Sequence, residues 1–218
     1  MSTTRNLLVL ASLGVVGLLG LSACSAAPGS RAPASTDTPP GHALGSVIPA
    51  PPAGEVIGTG TVMDVAGDVE LCLGPVAESY PPQCSGIPLE GWTWDGVDGS
   101  ERSGEIRWGA YAVTGTFDGT ALALTEPPAM LALYDPMPVE DPSGGGTGET
   151  TEARLLAIQE QLPDRLGADG TVLLSSYPDR GYLWVDVVWD DGTLQRGADE
   201  DFGPDTVLIR SALRPVGG

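Results

Sequence analysis

"WGAYAVTGTFDGTALALT" (Trp108–Thr125) reads as two strands folded back on each other at Asp118-Gly119. Asp-Gly between alternating apolar residues is the strongest short-range hairpin signal, because tight hairpin turns need positive φ and glycine supplies it without a Cβ clash. Toward the N-terminus lie two more strand-like runs, "VIGTGTVMDV" (Val56–Val65) and "VELCLG" (Val69–Gly74), parted by the turn-like Ala66-Gly67-Asp68. Gly58, Gly60, Gly109 and Gly115 punctuate these runs, as expected where the strands of a small barrel bend or approach closely. About five short strands over residues 55–127 predict a small closed or nearly closed β-barrel, OB-like in kind.

A core that small gains from a covalent staple. "LCLGPVAESYPPQCSG" (Leu71–Gly86) carries Cys72 and Cys84. Zinc takes four ligands at short Cys or His spacings, and a thioredoxin-type site takes Cys-x-x-Cys; the stretch has neither pattern. Its role turns on the compartment, on which the N-terminus bears. "MSTTR" (Met1–Arg5) is followed by the uncharged run "LLVLASLGVVGLLGL" (Leu7–Leu21). A membrane-spanning helix needs about 20 apolar residues. This run is shorter and ends in small residues, the pattern of a cleaved export signal over residues 1–23.

Leu21-Ser22-Ala23-Cys24 resembles the lipobox of bacterial lipoproteins. The resemblance implies a diacylglyceryl group on the Cys24 thiol, cleavage before Cys24, and a chain held at the extracytoplasmic face of the cell membrane. Two acyl chains anchor stably where one is marginal, at about 0.8 kcal/mol per buried CH₂. With Cys24 so used, two cysteines remain in an oxidising compartment, and an even remainder there favours a Cys72–Cys84 disulfide. "LCLGPVAESYPPQCSGIPLEGWTW" with "RWGAYAVTGTFDG" also resembles a segment of uncharacterised exported proteins and lipoproteins of actinobacteria. That likeness spans about Gly58–Thr125 and implies a shared extracytoplasmic domain; it brings no activity with it.

The chain has 10 Arg and no Lys against 29 Asp plus Glu. Residues 24–218 keep 9 of the arginines and all 29 acids, a net side-chain charge of −20. Such a surface repels phosphate backbones, which excludes nucleic acid as a partner. Residues 24–54, rich in Pro, Ala, Ser and Gly, read as a disordered tether. The sole histidine, His42, lies in that tether and reads as a solvated linker residue.

Residues 128–150 read as a linker, "PVEDPSGGGTGET" by composition, with a possible strand at 129–134, "AMLALY". Residues 151–218 read as a second domain. Leu155, Ile158, Leu162 and Leu166 fall at helical spacing, with Pro163 ending or kinking the helix near Leu162 and Gly167 terminating it. "TVLLSS" (Thr171–Ser176) and "YLWVDVVW" (Tyr182–Trp189) are strands joined through Pro178–Gly181. Alternation in the second places Leu183, Val185, Val187 and Trp189 on one face and Tyr182, Trp184 and Asp186 on the other, a sheet with one buried side. A helix over Thr193–Phe202, capped by Gly203, and a strand over Thr206–Leu213 complete α-β-β-α-β. With "AMLALY" in front, the order matches a ferredoxin-like α/β sandwich. The fold class is therefore mainly β plus α+β.

A Ser-His or Cys-His nucleophile site needs an imidazole, and the folded regions contain none. There is no Lys for a Schiff base and no Gly-rich nucleotide fingerprint before a helix. Carboxylates remain: Glu78, Glu90, Asp95 and Glu105 in the first domain could cleave glycosides if two faced each other, though surface solvation accounts for them more simply. Asp190, Asp191, Asp199, Glu200, Asp201 and Asp205 crowd the second helix without the calcium-loop pattern. No metal site and no cofactor is expected. Tyr80, Trp92 and Trp94 are the candidate ligand-binding residues: two tryptophans alternating on an extended segment point the same way and form a platform, or else plug the core. The expected function is a lipid-anchored extracytoplasmic binding or protein-interaction module, its partner a cell-envelope protein or glycan. The alternative is a carboxylate-dependent hydrolase of cell-envelope glycans.

Overall fold

Ala66 and Gly67 both sit at positive φ, the twist that a two-residue hairpin turn requires, and they join β1 (Glu55–Val65) to β2 (Asp68–Cys72). A computed structural model describes residues 43–136, 138 and 141–217; Cys24, the expected export signal and His42 lie outside the described residues. β3 (Ile87–Glu90) follows the loop that carries Cys84. β4 (Glu101–Ser103) then leads into β5 (Ile106–Phe117), which turns back into β6 (Leu122–Leu124). At that turn Asp118 accepts the backbone N–H groups of Thr120 and Ala121, each at 2.8 Å. The hairpin read from Asp118-Gly119 is therefore present.

β1 pairs antiparallel with β5 along its whole length, from Glu55 opposite Thr116 to Val65 opposite Ile106. That pairing closes a five-stranded barrel in the order β1-β2-β3-β6-β5-β1, with β3 and β6 parallel and the other pairs antiparallel. Val56, Val62, Leu71, Ile87, Tyr111, Val113 and Leu122 fill it. The strand glycines serve close approach: a Cβ on Gly60 would overlap the Cys72 carbonyl oxygen, and one on Gly115 that of Ala123. Cys72 and Cys84 form the disulfide, Cα atoms 6.1 Å apart. It lies in a separate apolar cluster with Met63, Trp108 and Ile106, and it ties β2 to the proline-rich loop.

The "AMLALY" segment departs from expectation. Its first two residues form β7 (Ala129–Met130), which pairs with Tyr111 and Ala112 of the barrel, and Leu131–Leu133 is a 3₁₀ turn. It contributes no strand to the second half. There α1 (Glu152–Gln159), α2 (Leu162–Leu166) and α3 (Thr193–Phe202) accompany β8 (Leu173–Asp179), β9 (Tyr182–Val187) and β10 (Val207–Ser211). The sheet runs β10-β9-β8, with β9 and β10 directly adjacent and parallel. A ferredoxin-like sandwich would place a strand between those two; the segment expected there pairs with the barrel instead.

Leu155, Ile158, Leu162 and Leu166 are buried against Leu183, Val185, Val187, Leu194, Ala198 and Phe202, as their periodicity implies. Pro163 opens α2 instead of ending α1, because the first turn of a helix has no use for its missing N–H. Two corrections concern β9. Both of its faces are covered, since Trp184 is only 2 % exposed, with the guanidinium of Arg210 4.9 Å and that of Arg180 5.4 Å from its ring centre. The strand also ends at Val187, so Val188 and Trp189 leave its alternation and pack against the barrel core. β11 (Arg214–Pro215) pairs with Val56 and Ile57 of β1. The described residues thus share one compact unit with two main apolar cores.

Each outer strand of the small sheet is met by a glutamine. Gln195 accepts from the Ile209 N–H and donates to the Val207 carbonyl, both at 2.9 Å, and so satisfies the outer edge of β10 as a neighbouring strand would. Gln159 donates to the Ser176 carbonyl on β8 at 2.6 Å. Capping an edge this way blocks pairing with a second molecule. Gln195→Ala leaves a half-buried donor and acceptor unpaired, and is expected to lower stability by about 2 kcal/mol and to promote self-association. Urea unfolding and light scattering check this; unchanged values of both would refute the edge role.

Candidate functional site

The connection between β3 and β4 folds across the barrel and brings Trp92 and Trp94 against Tyr111. The two indoles meet edge to face, centroids 5.0 Å apart and planes at 80°, an arrangement favoured by the ring quadrupoles. Their half-buried rings are packed on the barrel, so they do not lie side by side as a flat platform. Trp94 donates to Asp64 at 2.7 Å and carries the Arg107 guanidinium 4.4 Å from its ring centre. Tyr111 donates to the Asp98 carbonyl at 2.8 Å, and burial, outweighing nearby Arg107, pushes its phenol pKa up. The buried Trp92 Nε1 has no hydrogen-bond partner among the described residues.

Beside this aromatic cap runs an open groove of about 620 Å³ between residues 91–98 and 124–133. Tyr111, Leu124, Val97 and Met130 give it apolar walls, and Leu133, 80 % exposed, stands at its lip. Asp95, Asp98 and Glu126 supply its charge. Of the four carboxylates considered for glycoside cleavage, only Asp95 lines the groove. Pro127, Pro128 and the β7 residues complete the far wall. Nothing in their sequence marked them as part of a site, because they reach it only through the β5–β7 pairing.

Tyr80 lies elsewhere. It is 74 % exposed and stands edge-on to Trp108, centroids 5.6 Å apart, next to the disulfide cluster. Trp108 and Tyr111 fall on opposite faces of β5, since they are an odd number of positions apart on a strand, so Tyr80 and the tryptophan pair belong to different surfaces.

Four of the six acids around α3, Asp190, Asp191, Asp199 and Asp201, are occupied in holding structure. Asp190 accepts the backbone N–H groups of Leu194 and Gln195, and Asp191 that of Thr193, at the start of the helix. The Thr193 hydroxyl first, then the Ala50 and Thr193 backbone N–H groups, hold the Asp191 carboxyl below its ordinary pKa. Asp201 pairs with Arg165 and accepts the Leu44 N–H, and Asp199 accepts from Gln195. No group of three or more metal-ligating side chains gathers among the described residues, and none of their helices is long and apolar enough to cross a membrane.

These features define a closed β-barrel with an acidic-rimmed apolar groove, joined to a three-stranded α/β layer. No family model matches the chain, and neither a curated protein nor a solved structure matches it.

Proposed function

We propose that this protein is a lipid-anchored binding module of the extracytoplasmic face of the cell membrane, and that the barrel groove receives a cell-envelope protein or glycan. The observation that carries the reading is the groove itself: an apolar trough with a few polar groups at its rim is the usual form of a binding site, and its three rim carboxylates form no salt bridge among the described residues. The Leu21-Ser22-Ala23-Cys24 motif supports the anchor. The Cys72–Cys84 bridge suits an oxidising compartment. Strand order and Greek-key path support an OB-like barrel, a scaffold that commonly binds ligands on its surface.

Two experiments test this. A photo-crosslinking residue at Leu133 on intact cells is expected to capture a defined species that the same residue at the exposed Leu156 does not. Asp95→Asn with Glu126→Gln should reduce the yield; capture that is equal at both positions would refute the groove. Labelled fatty acid should enter the wild type and not Cys24→Ala, and equal labelling of the two would refute the anchor.

A further inference from the structure

Residues 43–54, expected to be tether, lie on the folded body. Leu44 is 3 % exposed among Leu155, Leu162 and Leu166, and its N–H donates to Asp201 at 3.0 Å. Val47 packs on the same core. The chain then runs through Ile48-Pro49-Ala50-Pro51-Pro52. Proline has no N–H, so within residues 49–52 only Ala50 can donate. Both of its backbone groups are used: its N–H donates to Asp191 at 3.1 Å, and its carbonyl accepts from the Trp189 indole at 2.9 Å. Farther on, Pro51 reaches the β5–β6 turn, where a Cβ on Gly119 would lie 3.5 Å from it.

We propose that the Trp189–Asp191 ledge is a recognition site for extended Pro-x-Pro segments, filled in cis by residues 49–51 of the chain itself. The chemistry matches the ligand. A proline-flanked residue is held extended before binding, so little entropy is lost, and its carbonyl has no internal partner. An indole donor answers that carbonyl, and a carboxylate answers the one N–H that the prolines leave. Neither group has to be recruited for the purpose. Trp189 is packed against the barrel core, and the other oxygen of Asp191 is already fixed by the Thr193 N–H. Two-point recognition of this kind requires an N–H at the central residue, and so discriminates Pro-Ala-Pro from uninterrupted proline. The site is separate from the barrel groove and does not depend on the function proposed for it.

The test is made on the full chain by following the Trp189 indole proton by NMR. Ala50→Pro deletes the N–H that Asp191 accepts while keeping the extended backbone, and is expected to raise the exchange rate of that proton about tenfold. The free peptide Val-Ile-Pro-Ala-Pro-Pro-Ala, added to this variant at roughly millimolar concentration, should return the indole resonance to its wild-type position. The same peptide with proline replacing its first alanine should not. Equal exchange in wild type and variant, no response to the first peptide, or the same response to both would each overturn the proposal. Trp189→Phe gives an independent check, since it keeps an aromatic ring and drops the donor: the Ala50 amide should lose protection while the Val62 amide in the barrel keeps its own. Retained protection at Ala50 would also overturn it.

Discussion

Gly60→Ala is expected to destabilise the barrel by about 3 kcal/mol or more. The added methyl would overlap the Cys72 carbonyl oxygen, which belongs to the backbone of the neighbouring strand and cannot rotate away as a side chain would. Thr61 stands opposite Cys72 in the β1–β2 ladder, and β1 is also held along its full length by β5. Relief therefore requires β2 to move off β1, which breaks ladder hydrogen bonds and opens the wall behind Leu71. Gly54→Ala is the matched control, one residue before β1: a Cβ there meets nothing within 4 Å, so its effect should stay within about 0.5 kcal/mol. Urea unfolding of both variants decides the point. A midpoint for Gly60→Ala as high as that of the control would show that the strands do not approach as described.

Removing the disulfide as Cys72→Ala with Cys84→Ala should cost about 3 kcal/mol, the chain entropy regained by an unfolded loop whose ends are 12 residues apart. For a chain of this size that corresponds to a fall in Tm of roughly 6–12 °C. The bridge matters because the loop it closes has little else to hold it. Ala77 and Gln83 form a single isolated bridge, and residues 77–80 are exposed. The buried Cys72 also packs with Met63 and Trp108, so a small packing loss adds to the entropic one. Reductant should lower the Tm of the wild type by a similar amount and leave the double variant unmoved. A wild type indifferent to reductant, under conditions where thiol labelling confirms reduction, would refute the staple.

Local reading succeeded where the governing interactions are themselves local. Asp118-Gly119, Ala66-Gly67 and the spacing of Leu155, Ile158, Leu162 and Leu166 each specify a turn or a face within a few residues, and the structure places them accordingly. Reading failed where a residue's fate depends on a distant partner. Pro163 was expected to end or kink the helix near Leu162; the helix does break just before Leu162, but Pro163 itself sits harmlessly in the first turn of a new one. Trp189 continued an apolar alternation until the barrel core drew it away from β9. The proline-rich residues 43–54 had the composition of a tether, but Leu44 found a place between helices, and two side chains more than a hundred residues away bound Ala50. For the candidate site, Trp92 and Trp94 could be singled out as aromatics near the barrel, while the groove beside them could not, because Ala129 and Met130 reach it through pairing with β5.

From the sequence by itself came the closed or nearly closed β-barrel, the Cys72–Cys84 pairing, the helical faces and an acidic net charge: properties set by spacing, composition and cysteine parity. Tertiary structure alone decided that the "AMLALY" segment joins the barrel instead of completing a sandwich, that the tryptophans pack on Tyr111, and that an acidic groove opens beside them. Strand pairing between remote segments follows from which edges are left unsatisfied once the whole chain has collapsed, and no window of neighbouring residues carries that information.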